Sequence, residues 1–275
     1  MPRAALVLRG GVSRISGRLL NPHDVSSSNS RYINFKACAK SIQKHIIEAN
    51  PDFQFDVFIQ SWNPDLEVEL SNIYLPIGKS FESNEKYAPL LHNLTKRSLK
   101  NQPRSVNDIL GRNLKASSLE YKKTFAGISQ ALAMKKGVEL LIDSGNLSDY
   151  ENIILFRPDV VLLRAMNLVE YKEDFVYVNN YADLMGDFHW VFKPGRINLF
   201  SDLVGSIESG NFHQQHYWIR DYFVSRCGET YLQDNILAGK DEEVMRQVKY
   251  SNISFEVLRN FGVSEAEYLE YDVIS

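Results

Sequence analysis

Arg157, Pro158 and Asp159 interrupt an otherwise apolar stretch, ENIILFRPDVVLLR (151–164). Residues two apart on a strand point to one face, so Arg157 and Asp159 can face the same cleft. Pro158 has no amide donor and belongs at a strand end, edge or bulge. A carboxylate placed there can hold a divalent metal, which in turn holds a diphosphate. The plainer alternative is an Arg–Asp ion pair that fastens a bulge. Other strand ends carry suggestive groups too. Arg9-Gly10-Gly11, with Arg14 nearby, closes the first apolar run. Glycines let backbone amides approach an anion, and guanidinium groups clamp phosphate oxygens. Ser61-Trp62-Asn63 closes the second, where Trp62 can stack on a base or sit in the core.

A further constellation is DLMGDFHWVFKP (183–194). Asp187 and His189 share a face, and Trp190 follows. A carboxylate at a cleft edge can act as general base toward a hydroxyl, and a neighbouring His can share the role. The alternative is a turn Asp capping amides beside a half-buried His. His213 and His216 stand three apart in NFHQQHYWIRDYF (211–223), which also suits a metal, although no third ligand is evident. An aromatic helix face packed on a sheet explains that segment more simply. Glu229 and Asp234 are later acidic candidates.

The elements that must position these groups follow from hydrophobic periodicity. Ala4–Leu8 reads as a first strand and FDVFIQSWN (55–63) as a second, with an amphipathic helix over about 31–49 between them. IYLPIG (73–78) suggests a short third strand. This β-α-β order argues for a parallel sheet with helices on it. Residues 79–118 have a poor pattern and a cluster of basic residues, as a surface excursion would. Leu119–Asp143 returns to helical period and ends at Gly145-Asn146. FVYVNN (175–180) and FHWVFKPG (188–195) read as strands, and RINLFSDLVGSI (196–207) as a helix. Residues 212–249 look mainly helical, and FEVLRN (255–260) suggests a late strand.

With 275 residues and no repeat or clean linker, the chain reads as one α/β domain. Residues 1–165 would form one half of it and 166–275 a second, more helical half. A net charge of −3 argues against a general nucleic-acid binder. The N-terminal apolar run spans only Ala4–Leu8, whereas a signal peptide needs roughly 7–15 residues and a membrane span about 20. A soluble cytoplasmic protein without a membrane span is therefore expected. Cys38 and Cys227 are expected to be reduced.

Taken together, the glycine–arginine loop after the first strand, the FDVFIQSWN strand and the helix preceding IILFRPDVVL resemble small GT-A-type glycosyltransferases. Such enzymes occur in bacterial surface-polysaccharide clusters and in large DNA viruses of algae, where they act in the host cytoplasm on capsid-protein glycans. The resemblance spans about residues 4–195. It implies a GT-A-like (Rossmann-like) mixed, mostly parallel sheet. It also implies a nucleotide-sugar donor, UDP-linked and with UDP-xylose a candidate, and a glycan acceptor. Arg9, Gly10, Gly11, Arg14, Trp62, Asn63, Arg157 and Asp159 would bind the donor, and His189 and Trp190 the acceptor. Asp187, or failing it Asp234, would be the catalytic base of an inverting transfer. Asp159 would stand in for the family's metal-binding aspartate, holding Mn²⁺ or Mg²⁺. Position 157 departs from that two-carboxylate motif, because it is Arg. Arg157 would then neutralise diphosphate charge directly. A non-catalytic nucleotide- or glycan-binding protein with the same fold is the alternative.

Overall fold

The computed structural model describes residues 1–12, 35–101, 119–160, 162, 165–171, 174–181, 184–209, 215–228 and 232–234. Strand β1 (Arg3–Gly10) leads to helix α1 (Phe35–Ile42), which continues into a π-helical turn over Gln43–Ile47. Strand β2 (Gln54–Ser61), helix α2 (Glu67–Tyr74) and strand β3 (Gly78–Phe81) follow. Helices α3 (Ala88–Asn101) and α4 (Leu119–Asp143) precede strand β4 (Tyr150–Phe156). Strands β5 (Val176–Tyr181) and β6 (Leu184–Phe192) form a hairpin. Helices α5 (Asn198–Ser201), α6 (Leu203–Glu208) and α7 (Gln215–Cys227) then lead to a short strand β7 (Leu232–Asp234).

The strands form one sheet in the order β3-β2-β1-β4-β6-β5-β7. All pairings are parallel except those that β6 makes with β4 and β5. This is the α/β, mixed and mostly parallel sheet expected from the sequence. The apolar runs explain the strands. Ala4 to Leu8 is wholly buried, because β1 is paired on both edges and covered on both faces. Ala4, Leu6 and Leu8 pack with α1 and α2, while Ala5 and Val7 pack with α4 and the later helices. Helix α4 lies close on β1 at Gly137, where an added Cβ would stand 3.0 Å from Val7 Cγ1.

Several boundaries differ from the sequence expectations. IYLPIG is not a strand: α2 runs to Tyr74, Leu75 ends it in the left-handed region at φ 47°, and pairing begins at Gly78. Gly78 suits that place because an added Cβ would sit 2.7 Å from the Phe58 ring. The irregular region contains α3, whose Leu91, Leu94 and Leu99 reach the core. The helix expected over 196–207 is broken into α5 and α6 at Asp202. Strand β7 was not foreseen, and the strand suggested at 255–260 lies outside the described residues. Cys38 and Cys227 are free and buried. No helix among the described residues is long and apolar enough to cross a membrane.

Two residues expected at an acceptor are instead interior, because β6 lies between β4 and β5 and both its faces are covered. Trp190 is 0% exposed, with its ring stacked on Phe223 at 4.8 Å and edge-on to Phe200 at 5.5 Å. His189 is 2% exposed and stacks on Phe156 at 6.4 Å on the opposite face. Burial pushes the His189 imidazole down from 6.5 to about 3. It is therefore neutral in the folded protein near neutral pH and takes up a proton on unfolding once the pH falls below 6.5. That uptake favours the unfolded chain, so this part of the stability is present at high pH and lost as the pH falls. A His189→Phe variant should show a shallower fall in stability between about pH 6.5 and 5, by at most about 1.4 kcal/mol per pH unit. Denaturant titrations across that range test this, and an unchanged slope would refute it.

Candidate functional site at the carboxyl edge of the sheet

Strands β1, β2, β3 and β4 run in one direction, so their carboxyl ends share one edge. Gly10 is level with Ser61, Ser61 with Phe81, and Leu8 with Phe156. Ligands of open α/β sheets collect at such an edge. Gly10 adopts φ 95°, which an L side chain rarely takes, and it turns the chain out of the sheet. The turn is held from β2. Gly10 N–H donates to the Gln60 side-chain oxygen at 3.1 Å, and Trp62 N–H donates to the Gly10 carbonyl at 3.3 Å. Val12 N–H donates to Asn63 Oδ1 at 2.7 Å. A Cβ at Gly11 would meet that same Asn63 oxygen at 3.1 Å. Gly10, Gly11, Trp62 and Asn63, expected together, are thus brought together.

Arg9 follows Val7 on the face covered by α4, and it is 1% exposed. Trp62 is half-buried and tilts against Tyr87, with centroids 5.7 Å apart. Tyr87 belongs to a cluster that sequence reasoning missed. Its hydroxyl donates to Glu82 Oε2 at 2.7 Å, and Lys136 Nζ lies over its ring at 4.8 Å. Lys86 pairs with Glu82 at 2.5 Å, and Lys136 does so at 3.3 Å. The Lys86 hydrogen bond, then that of Tyr87, holds the Glu82 carboxyl down at about 2, so Glu82 is ionised at working pH. Lys86 four residues after Glu82 was the only local signal. Lys136 arrives on α4, which no spacing in the sequence reveals.

Strand β4 ends at Phe156, and Arg157 and Asp159 continue toward the same edge. Arg157 Nε and Nη2 donate to Asp159 Oδ1 and Oδ2, each at 2.9 Å, in a two-point fork. The pair is buried, at 6% and 1% exposure, and the guanidinium lies 5.4 Å over the Phe188 ring. Asp159 also faces α1. Burial pushes the Cys38 thiol up, and the Asp159 carboxylate adds to that. The segment after it is tied to α1 by Ser41, whose hydroxyl donates to the Leu162 carbonyl at 2.8 Å and accepts from its N–H at 2.6 Å.

Strand β6 brings Asp187 to this edge by its backbone. His189 is level with Phe156, and Arg157 N–H donates to the Phe188 carbonyl at 3.0 Å. Asp187 therefore stands beside the Arg157–Asp159 segment. Asp234 ends β7 level with Val178. That places it three strand spacings from β4, about 14 Å. Arg14, His213 and Glu229 lie outside the described residues.

Along this edge Arg157 pairs with Asp159, and Lys86 and Lys136 pair with Glu82. The donor set at Asp159 does not fit a divalent cation. Both its oxygens accept from Arg157, and among the described residues no group of three His, Cys, Asp or Glu side chains converges as metal ligands. Asp159→Asn would remove one charge of this buried pair, at a cost of about 3–5 kcal/mol. The double variant Arg157→Leu/Asp159→Leu should be more stable than Asp159→Asn. Denaturant unfolding of both proteins tests this, and a double variant no more stable than the single one would contradict it.

No family model and no curated protein matches the chain. Among solved structures, the chain is similar to the apo crystal structure of mouse xyloside xylosyltransferase 1. The TM-score is 0.34 at 8% sequence identity, over 86% of this chain and 84% of that one, and a likeness at this level carries no statement about activity.

Proposed function

We propose that the chain is an inverting glycosyltransferase that moves a sugar from a UDP-sugar donor to a hydroxyl of a glycan acceptor. The observation that carries this is the meeting of the Gly10–Gly11 turn, Trp62, Asn63, Arg9 and the Arg157–Asp159 fork along one carboxyl edge, with the Asp187 backbone beside them. Gly10 and Gly11 let the backbone approach the donor diphosphate, and Arg9 brings positive charge to it. Trp62 offers a ring to the base, and Asn63, by accepting from Val12 N–H, holds the Gly10–Gly11 loop beside it.

Asp187 accepts the proton of the acceptor hydroxyl as its oxygen forms the bond to the anomeric carbon. The bond from that carbon to the diphosphate oxygen breaks, and UDP leaves with the electron pair. Arg9 and Arg157 stabilise the charge that develops on it. Asp159 orients Arg157 and keeps it in place. No step is assigned to a metal. Asp234 is a poorer base than Asp187, because of its distance across the sheet. Trp190 has no acceptor role, being part of the core.

Asp187→Asn should leave UDP binding within about twofold of wild type and lower UDP release from a UDP-sugar by 10²-fold or more, with UDP-xylose the first donor to test. Wild-type turnover in the variant would refute Asp187 as the base. If the wild-type protein binds UDP yet releases none from any UDP-sugar offered with glycan acceptors, it is a binding protein.

A further inference from the structure

A concave site shares no residue with the strand-edge cluster, although Lys135 in its wall precedes Lys136 on α4. It is a groove of about 840 Å³ between α6 and α7, with Lys135 of α4 at one side. That volume is typical of ligand sites. Both walls come from the amino edge of the sheet: α5 and α6 follow the end of β6, and α7 leads into β7, which starts level with Val176 and Phe192. None of the residues proposed to handle the donor lines it.

Its lining is rich in hydrogen-bond acceptors. Ser201, Ser209 and Ser225 turn their hydroxyl protons inward, donating to the carbonyls of Asn198, Ser206 and Tyr222 at 3.1, 2.6 and 2.7 Å. Each keeps its oxygen lone pairs for a ligand. Asp202, Glu208 and Asp221 add three exposed carboxylates. Trp218 and Tyr222 form an aromatic floor, with ring centroids 5.8 Å apart. The two cations in the lining have partners of their own. Lys135 pairs with Glu139 at 2.6 Å, and the Arg226 guanidinium lies 5.5 Å over the Tyr222 ring. Those same cations at the rim oppose a polycation.

We infer that the α6–α7 groove binds a neutral, polyhydroxylated ligand, a saccharide, whose hydroxyl groups donate to this acceptor-rich lining. The strand edge and the groove are separate sites, and the groove binds sugar whether or not the strand edge transfers one.

Gly205 supplies the test. A Cβ added there meets nothing within 4 Å, and a larger residue in the α6 interior raises helix propensity. Gly205→Phe should therefore fill the groove while the protein stays folded. The probes are maltose, cellobiose and xylobiose, titrated while the Trp218 indole N–H resonance is followed. At least one should give a saturable shift with a Kd on the order of 1 mM. Gly205→Phe should weaken that binding about tenfold or more at an unchanged or higher melting temperature. The exposed Glu208→Lys, which removes an acceptor without touching the core, should weaken it about fivefold. The inference is overturned if none of the three sugars saturates below about 20 mM, if both variants bind like wild type, or if spermidine displaces the sugars at lower concentration.

Discussion

Strand β1 is paired on both edges and covered on both faces, and this decides where chemistry can sit. A strand buried that way must be apolar along its length, and Ala4–Leu8 is. Beyond that run, Arg9 is the first charged residue toward the carboxyl edge, and Gly10 turns the chain. The turn itself is made by β2. Gln60 receives the Gly10 amide and Asn63 receives the Val12 amide, so the two central parallel strands fasten each other's exits. Helix α4 then closes over Val7 and Arg9 at Gly137, and it brings Lys136 to the same edge. The β4 end is set by register against β1, and the β6 end by register against β4. If β1 shifted by one residue, every one of these alignments would fail together.

The electrostatics follow from that geometry. A buried arginine costs several kcal/mol to desolvate unless it is paired and hydrogen-bonded. Arg157 meets both demands through a carboxylate two residues away, with Pro158 marking where sheet pairing stops. The same fork explains why Asp159 is a poor metal ligand: its oxygens already serve Arg157. On the proposed reading, side chains rather than a cation held on Asp159 supply the positive charge at this edge. The Glu82 cluster acts likewise, one carboxylate orienting two lysines and a tyrosine beside Trp62.

Much of this was legible in the residues. Strands buried on both faces leave unbroken apolar runs, so β1, β2 and β4 stood out, as did the Arg-Pro-Asp break. Of the two readings of that break, the structure shows the ion pair, buried just past the end of β4. His189 and Trp190 misled because polar and amphipathic residues suggest a surface. Strand alternation in β6 sends them to opposite faces, and a strand in the middle of a covered sheet has no surface face. Tyr87 and Lys136 were invisible because only the packing of α4 on the sheet unites them. Strand β3 was misplaced because Ile73, Leu75 and Ile77 look like a strand, whereas pairing waits for Gly78, the residue that clears the Phe58 ring.

The central claim is that this carboxyl edge binds a nucleoside diphosphate through side-chain cations. Thermal unfolding of the wild-type chain with UDP, in the presence and absence of EDTA, tests it most directly. Saturating UDP, at about 100 times its Kd, should stabilise the fold by about 2.7 kcal/mol. For a protein of this size that is a rise of about 5–10 °C in melting temperature. The rise should be the same with EDTA. No shift with millimolar UDP, or a shift that disappears in EDTA and returns with Mn²⁺, would contradict the account.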